Sequence, residues 1–334
     1  MTLSVARHIV LAARPQGTPH VTDFRLEDTA IPTPAAGQLL LGVQYLSLDP
    51  YMRLLMDDLQ SDATPLPLGA VMPGDAVAQV LTSHHPAYAA GDLVLAPTGW
   101  RTHTLSDGTG LRQLDPAVAP VTTALGVLGM PGFTAYAGVR LIGTPQPRDT
   151  VVVAAASGPV RVAGRPTRAS ACARAVGIAG SAEKCACVQD DLRFNATVNH
   201  RAADFPAHLA AACPNGIDVY FENVGSAIWQ AVLPLLNQGA RVPVCGLIAQ
   251  YNGVGQGDGT DGLPATMHAI LSKRLTLRGF IYTEFAAQHY AAFLREVGAG
   301  IADGRIRYRE DIVDGLEQAP AAFLGMLEGA TSAS

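Results

Sequence analysis

Charge is scarce in this chain. Asp, Glu, Lys and Arg make up 15% of its 334 residues, against 49% hydrophobic residues, so material for a core is ample. The formal net charge of −5 supplies no basic footprint for nucleic acid. No apolar run approaches the roughly 20 residues that span a bilayer. Residues 1–14 hold no continuous apolar segment ahead of a small-residue cleavage site, so no signal peptide is expected, and a soluble cytoplasmic protein is. Cysteine is also sparse: Cys172, Cys185, Cys187, Cys213 and Cys245. Their odd number and irregular spacing argue against a disulfide framework and for a reducing compartment. The Cys185-x-Cys187 pair has no matching second pair, so no metal site is expected. Neither a Gly-x-Ser-x-Gly elbow nor a His-Glu-x-x-His helix occurs, which leaves hydrolase chemistry without support. The nine histidines do not cluster, and His84-His85 beside Pro86 reads as a surface turn.

What is present is a change of rhythm along the chain. The length suggests two domains. Residues 1–125 read as mostly β, with short apolar runs at Gln38–Leu46, Ala76–Leu81 and Asp92–Ala96 set off by Pro, Gly and Asp. From about residue 126, buried strands are predicted at Thr150–Ala156, Ala173–Gly180, Ile217–Asn223 and Ala240–Gly246. Helical patterns separate them at Ala182–Leu192, Asp204–Ala212 and Ala227–Leu236. Strands alternating with helices give an α/β doubly wound parallel sheet, whose ligand crevice lies at the carboxyl ends of its strands. Phe285–Gly329 is predicted to be largely helical and to pack back on the first domain.

The first strand of that sheet runs into Ser157-Gly158-Pro159-Val160, where a phosphate-binding turn belongs. Gly158 permits the tight turn. Beyond it the spacing fails, because Arg161, Arg165 and Pro166 stand where the first turns of a helix should be, and a helix-interior proline costs roughly 3 kcal/mol. The second strand ends at Gly180-Ser181 with Lys184 three residues on, and no acid is there to bind a ribose 2′-hydroxyl. That combination suits a 2′-phosphate and favours NADP over NAD, although Glu183 and Lys184 also read as plain solvated helix charges. Tyr251 follows a strand end, where a hydroxyl can donate to a developing oxyanion. Tyr51 and Tyr251 read equally as packing residues, and His200 as a satisfied or solvent histidine.

Five segments carry a family resemblance: Tyr45–Arg53, Gly129–Tyr136, Val176–Cys185, Gly216–Gly225 and Pro243–Asn252. In order and spacing they resemble the zinc-independent medium-chain dehydrogenase/reductases, in the 2-alkenal, prostaglandin and leukotriene reductase branch. Zinc-dependent relatives fit poorly, since no cysteine precedes Cys172. The resemblance implies a GroES-like β domain over residues 1–125, completed by about 295–334, and a Rossmann domain over 126–294. It implies NADPH as cofactor. Ser157, Gly158 and Val160 would form the phosphate turn, and Lys184 would hold the 2′-phosphate. His200 stands where the family has a tyrosine near the adenosine. Gly180, Asn223, Cys245, Gly246, Phe280 and Tyr282 would line the cofactor cleft, with Thr134 near the nicotinamide. Tyr251 would serve both cofactor and substrate oxygen, and Tyr51 would line the substrate pocket. The implied reaction reduces the C=C bond of an enal or enone by hydride transfer to its β-carbon, with the enolate oxygen stabilised by Tyr251 or the ribose 2′-hydroxyl and the α-carbon then protonated. A quinone reductase of the same superfamily and a non-catalytic relative with a disabled site are the alternatives. A homodimer, the commonest closed assembly, is expected.

Two departures from the family pattern stand out. Arg161 and Arg165 replace a pair of glycines, and the chain ends Glu328-Gly-Ala-Thr-Ser-Ala-Ser334 in place of Gly-x-Asn-Phe-Gly-Lys and a final strand. Codons for residues 161–173 read one base out of register can give the family helix with both glycines, and those for 330–334 can give Gly-Asn-Phe-Gly-Lys. A compensated frameshift and a terminal one are therefore expected in the gene or in its reading.

Overall fold

A computed structural model describes residues 5–58, 64–158, 173–253 and 262–330. Val160, Arg161, Arg165 and Pro166 fall outside these residues, and so does the segment of the suspected frameshift as far as 172. The described residues divide into two units, one running up to Gly126 and resuming at Asp311, the other spanning Val127–Glu310. Among the described residues no helix is long and apolar enough to cross a membrane.

The first unit is antiparallel. β1 (Val5–Leu11) pairs with β2 (Phe24–Ala30). A five-stranded sheet in the order β6-β3-β4-β5-β7 is built from β3 (Leu39–Leu46), β4 (Ala76–Ser83), β5 (Leu93–Ala96), β6 (His103–Ser106) and β7 (Arg112–Leu114). Alternation along the strands puts Leu39, Leu41, Ala78, Val80, Val94 and Ala96 into one buried cluster. A single helical turn, α1 (Met52–Leu55), follows Tyr51.

The second unit opens with α2 (Met130–Ala137) and contains a six-stranded parallel sheet. Its strands are β8 (Thr150–Val153), β9 (Arg174–Ala179), β10 (Ala196–Asn199), β11 (Ile217–Phe221), β12 (Leu236–Val244) and β13 (Thr276–Gly279). Their order, β10-β9-β8-β11-β12-β13, is that of a doubly wound dinucleotide-binding sheet, and it reverses direction between β8 and β11. Every residue of β8 is buried, because apolar clusters cover both faces of the sheet. Among the described residues the further α-helices of the unit are α3 (Ala182–Ala186), α4 (Phe205–Ala212), α5 (Ser226–Val232), α6 (Leu263–Lys273) and α7 (Thr283–Ala302).

Several boundaries differ from the sequence expectation, each for a local reason. The first parallel strand stops at Val153, since Ala155 takes a left-handed φ of 50° and turns the chain. The helix expected over Ala182–Leu192 is α-helical only to Ala186 and finishes in a wider π-helical turn, Cys187–Asp191. The helix expected to reach Leu236 ends at Val232. Pro234 sits in a 3-10 turn, and β12 starts at Leu236. β10 and β13 lie outside the expected strands: each is only four residues long, and β13 contains Arg278 and follows Lys273 and Arg274.

The C-terminal region divides between the units later than the expected residue 295. In α7, Phe293 packs on Phe133 (centroids 5.2 Å) and Tyr136 (5.5 Å) of α2, which holds that helix in the second unit. α8 (Ala319–Leu327) belongs to the first. Its Phe323 meets Trp100 edge-on at 5.6 Å and Phe24 at 6.2 Å, inside a core with Ile9, Leu11, Met52 and Met72. Full burial of a phenylalanine is worth roughly 1.5–3 kcal/mol, so α8 is an integral part of that core.

Candidate cofactor and substrate site

A sheet that reverses at β8/β11 opens a crevice beyond the carboxyl ends of those strands. Three chain segments meet there. The turn after β8 is held by Ala154 N–H donating to Phe221 O (3.1 Å), Ala156 N–H donating to Ile178 O (2.9 Å), and Gly158 N–H donating to Ala155 O (2.8 Å). A Cβ at Gly158 would stand 3.1 Å from that carbonyl, so a side chain there would push the turn open by a few tenths of an ångström. The turn after β11 is tied to it by Asn223, whose Nδ2 donates to Ala154 O at 2.9 Å. The end of β12 joins through Cys245, whose Sγ donates to Asn223 Oδ1 at 2.6 Å. Burial, then the nearby Glu222, pushes the Cys245 thiol up to about 12, which makes it a neutral donor and not a nucleophile.

Glu222 organises this junction. It is buried, and its Oε1 accepts from Val224 N–H (2.7 Å), Gly225 N–H (2.9 Å) and the Tyr220 hydroxyl (3.1 Å). Burial raises its carboxyl above the ordinary 4.5, and the two backbone donors oppose that rise. Tyr251 follows the turn Ile248–Gln250. Its hydroxyl oxygen accepts from Leu247 N–H at 3.4 Å and lies 3.1 Å from where a Cβ on Gly246 would be. Burial raises the phenol above 10, so the group stays protonated and retains its O–H to donate. Beyond β13, Phe280 is buried edge-on against Phe221 at 6.3 Å, and both rings crowd the bare Cα of Gly138.

A second cluster forms two strands away. Parallel pairing sets Asn199 beside Ala179, so Gly180 and His200 leave adjacent strand ends together, and His200 N–H donates to Ala179 O at 3.0 Å. A Cβ on Gly180 would lie 3.1 Å from His200 Nε2 and 3.6 Å from Arg201 Nε. Lys184 enters from α3, where the Ser181 side chain caps the helix by accepting from Lys184 N–H at 3.1 Å. Burial, then the charges of Arg201 and Lys184, hold the His200 imidazole below its ordinary 6.5.

The structure therefore brings together Ser157, Gly158, Asn223, Cys245, Gly246 and Tyr251 at the switch point, and Gly180, Lys184 and His200 at the neighbouring strand ends. Thr134 lies on α2 with its hydroxyl donating to Met130 O at 2.8 Å. Tyr282, just before α7, meets Phe133 edge-on at 6.4 Å. Tyr51 is in the first unit, 41% exposed, beside the buried Asp49. Sequence reasoning gave no role to Arg201 or Ala155 and quoted Glu222 only within a motif. An acid directly after the apolar run Val219–Phe221 was the available signal for Glu222. Arg201 directly after His200, behind the short apolar stretch 196–199, was the signal for a second cation.

The residues fit a 2′-phosphorylated dinucleotide. A glycine without side chain faces a cationic corner, and a turn of close backbone stands at the switch point. Comparison with known proteins agrees. Residues 7–114 match the family described as "N-terminal domain of oxidoreductase", and residues 166–298 match "Zinc-binding dehydrogenase". Among the described residues no group of three or more His, Cys, Asp or Glu side chains converges as a metal site would require. The chain is 47% identical over 324 residues to the NADPH-dependent curcumin reductase of Escherichia coli (strain K12), covering 97% of this chain and 94% of the relative. It is 36% identical over 331 residues to prostaglandin reductase 1 of Oryctolagus cuniculus, covering 97% and 90%. The crystal structure of CurA from Vibrio vulnificus in complex with NADPH superposes with a TM-score of 0.93 at 46% identity, over 98% of this chain and 97% of that one.

Proposed function

This chain belongs to the zinc-independent medium-chain dehydrogenase/reductases, in their 2-alkenal, prostaglandin and leukotriene reductase branch, and from that premise we propose that it is an NADPH-dependent reductase of α,β-unsaturated carbonyls. The observation that carries the proposal is the pairing of a cationic adenosine corner with a protonated tyrosine at the switch point. Lys184, His200 and Arg201 would hold the 2′-phosphate, the turn Ala154–Gly158 the pyrophosphate, and Asn223, Cys245 and Phe280 the nicotinamide end. When bound, the cofactor would supply the hydride that goes to the β-carbon of the enal or enone, and a proton from solvent would then complete the α-carbon.

The chain's own contribution is positioning and charge stabilisation. Tyr251 donates its O–H to the substrate oxygen, on which negative charge builds as the β-carbon is reduced. Its raised pKa suits a hydrogen-bond donor that does not give up its proton. Tyr51, partly exposed and at the head of α1, contributes to the substrate pocket. The free thiols Cys185, Cys187, Cys213 and Cys245 are consistent with cytoplasmic action, and a homodimer completes the proposal.

Tyr251→Phe tests the catalytic part. Loss of one oxyanion donor is expected to lower turnover of an enone on the order of 100-fold, with NADPH affinity nearly unchanged. Equal loss in both, or none in turnover, reduces Tyr251 to a packing residue of the cofactor cleft.

A further inference from the structure

We propose that the corner formed by Gly180, Lys184, His200 and Arg201 takes up a proton together with the cofactor's 2′-phosphate, and that His200 is the group that receives it. The proposal rests on the NADPH assignment above and concerns what happens at that site when the phosphate arrives. Register carries it first. Because β9 and β10 pair in parallel with Asn199 beside Ala179, the imidazole is held over Gly180, and its Nε2 lies 3.1 Å from where any side chain on that glycine would begin. The bare glycine leaves room for an anion beside Nε2, and Arg201 Nε borders the same space at 3.6 Å.

The charges facing the imidazole are Lys184, from α3, and Arg201, its neighbour in sequence. From α4 it meets only the edge of Phe205, with ring centroids 6.5 Å apart. Among the described residues no carboxylate pairs with it. In the free protein burial and the two cations keep it neutral near pH 7. A phosphomonoester carries close to two negative charges there, its second pKa being about 6. Placed among the three side chains, it reverses the sign of the local potential. The imidazolium, unfavourable beside two cations, becomes favourable beside a dianion. The proton comes from solvent and is returned to it when the cofactor leaves.

The sign follows from linkage. A group whose pKa rises on binding makes binding tighter as pH falls through the interval between its free and bound values. Affinity for the 2′-phosphorylated cofactor should therefore weaken as pH rises past neutrality, approaching about tenfold per pH unit at the steepest point. Below about pH 6 protonation of the phosphate itself opposes the effect. A cofactor without the 2′-phosphate should show neither trend.

Calorimetric titration of the full chain with NADP+, at about pH 7 in two buffers of different ionisation enthalpy, measures the protons taken up. The expected result is a substantial fraction of one proton with NADP+ and none with NAD+. The His200→Asn variant should lose the uptake and the pH dependence, yet still prefer NADP+ through Lys184 and Arg201. Preference for NADP+ without proton uptake in the unaltered protein, or uptake that persists in His200→Asn, overturns the role of His200 and leaves the cofactor assignment standing. Equal affinity for NADP+ and NAD+ overturns both.

Discussion

Replacing Glu222 with alanine should damage both stability and cofactor affinity, and the size of the damage follows from its partners. Three donors converge on Oε1: two backbone N–H groups of the turn after β11 and the hydroxyl of Tyr220, which is itself fully buried. Stripping an acceptor from a buried donor costs about 1–3 kcal/mol each, so three donors set a floor of about 3 kcal/mol. Removing a buried carboxylate returns part of this, because burial already strains the group, as its raised pKa records. A net loss of about 3–4 kcal/mol is expected, or roughly 10 °C in Tm for a unit of this size. The turn also aims Asn223 at Ala154 O and at Cys245, so NADPH affinity should fall with it. Glu222→Gln retains an acceptor oxygen of the same shape and should stay within about 1 kcal/mol of the parent. The pH sign distinguishes the two states of the acid. Its folded pKa lies above the ordinary 4.5, so its contribution to stability declines as pH rises from 4.5 through the folded value, and the Gln variant lacks that decline. Thermal melts by circular dichroism at several pH values, with NADPH titrations alongside, measure all of this. An Ala variant that loses less than about 1 kcal/mol, or a Gln variant as damaged as Ala, would refute the role given to Glu222.

Other outcomes follow from the same structure. Lys184→Ala should reduce the preference for NADPH over NADH by about 1–3 kcal/mol, or roughly 5- to 150-fold, measured as the ratio of kcat/KM values. Asp49, buried in the first unit, has its carboxyl pushed from 3.8 up to about 7 by burial; the Ser47 hydroxyl donating to it at 2.8 Å opposes the rise and Asp75 adds to it by repulsion. A folded pKa above the unfolded one means stability lost as pH rises between those values. Asp49→Asn should therefore stabilise the protein above neutral pH by up to about 4 kcal/mol and leave it nearly unchanged in acid, as urea melts would show. Phe323→Ala should cost about 3–5 kcal/mol by emptying the space between Trp100 and Phe24, read as a lower Tm. Restoring the two family glycines at 161 and 165 with the shifted-frame residues around them should raise NADPH affinity. Resequencing the gene comes first, and DNA that encodes the written residues in a chain with micromolar NADPH affinity would dispose of the frameshift idea.

The parallel sheet was legible because its strands, buried on both faces, read as continuous apolar runs. Val151–Val153 and Val219–Phe221 could hardly be anything else. The ends of elements were not legible. The left-handed Ala155 is set between hydrogen bonds to β11 and β9, and the 3-10 turn at Pro234 receives the Lys273 ammonium on the carbonyls of Leu233 and Pro234, contacts that a single sequence does not display. The same holds for the site. Lys184 could be singled out from its distance to Gly180, since cap and helix fix it locally. Arg201 and Glu222 depend on strand register and on a turn wrapped around one carboxylate, both of which are tertiary facts. β13 escaped because four residues, one of them Arg278, directly behind Lys273-Arg274-Leu275 carry no pattern of their own; pairing with β12 alone makes them a strand.

The central claim is hydride delivery to the β-carbon of an activated alkene. It is tested most directly by giving the protein NADPH that carries deuterium at the transferred position of the nicotinamide, together with an acyclic trans-enone, and locating the label in the product by NMR. The expected product is a saturated ketone with one deuterium on the former β-carbon. Deuterium on the carbonyl carbon of an allylic alcohol, or no label transfer while a quinone is readily reduced, would contradict it.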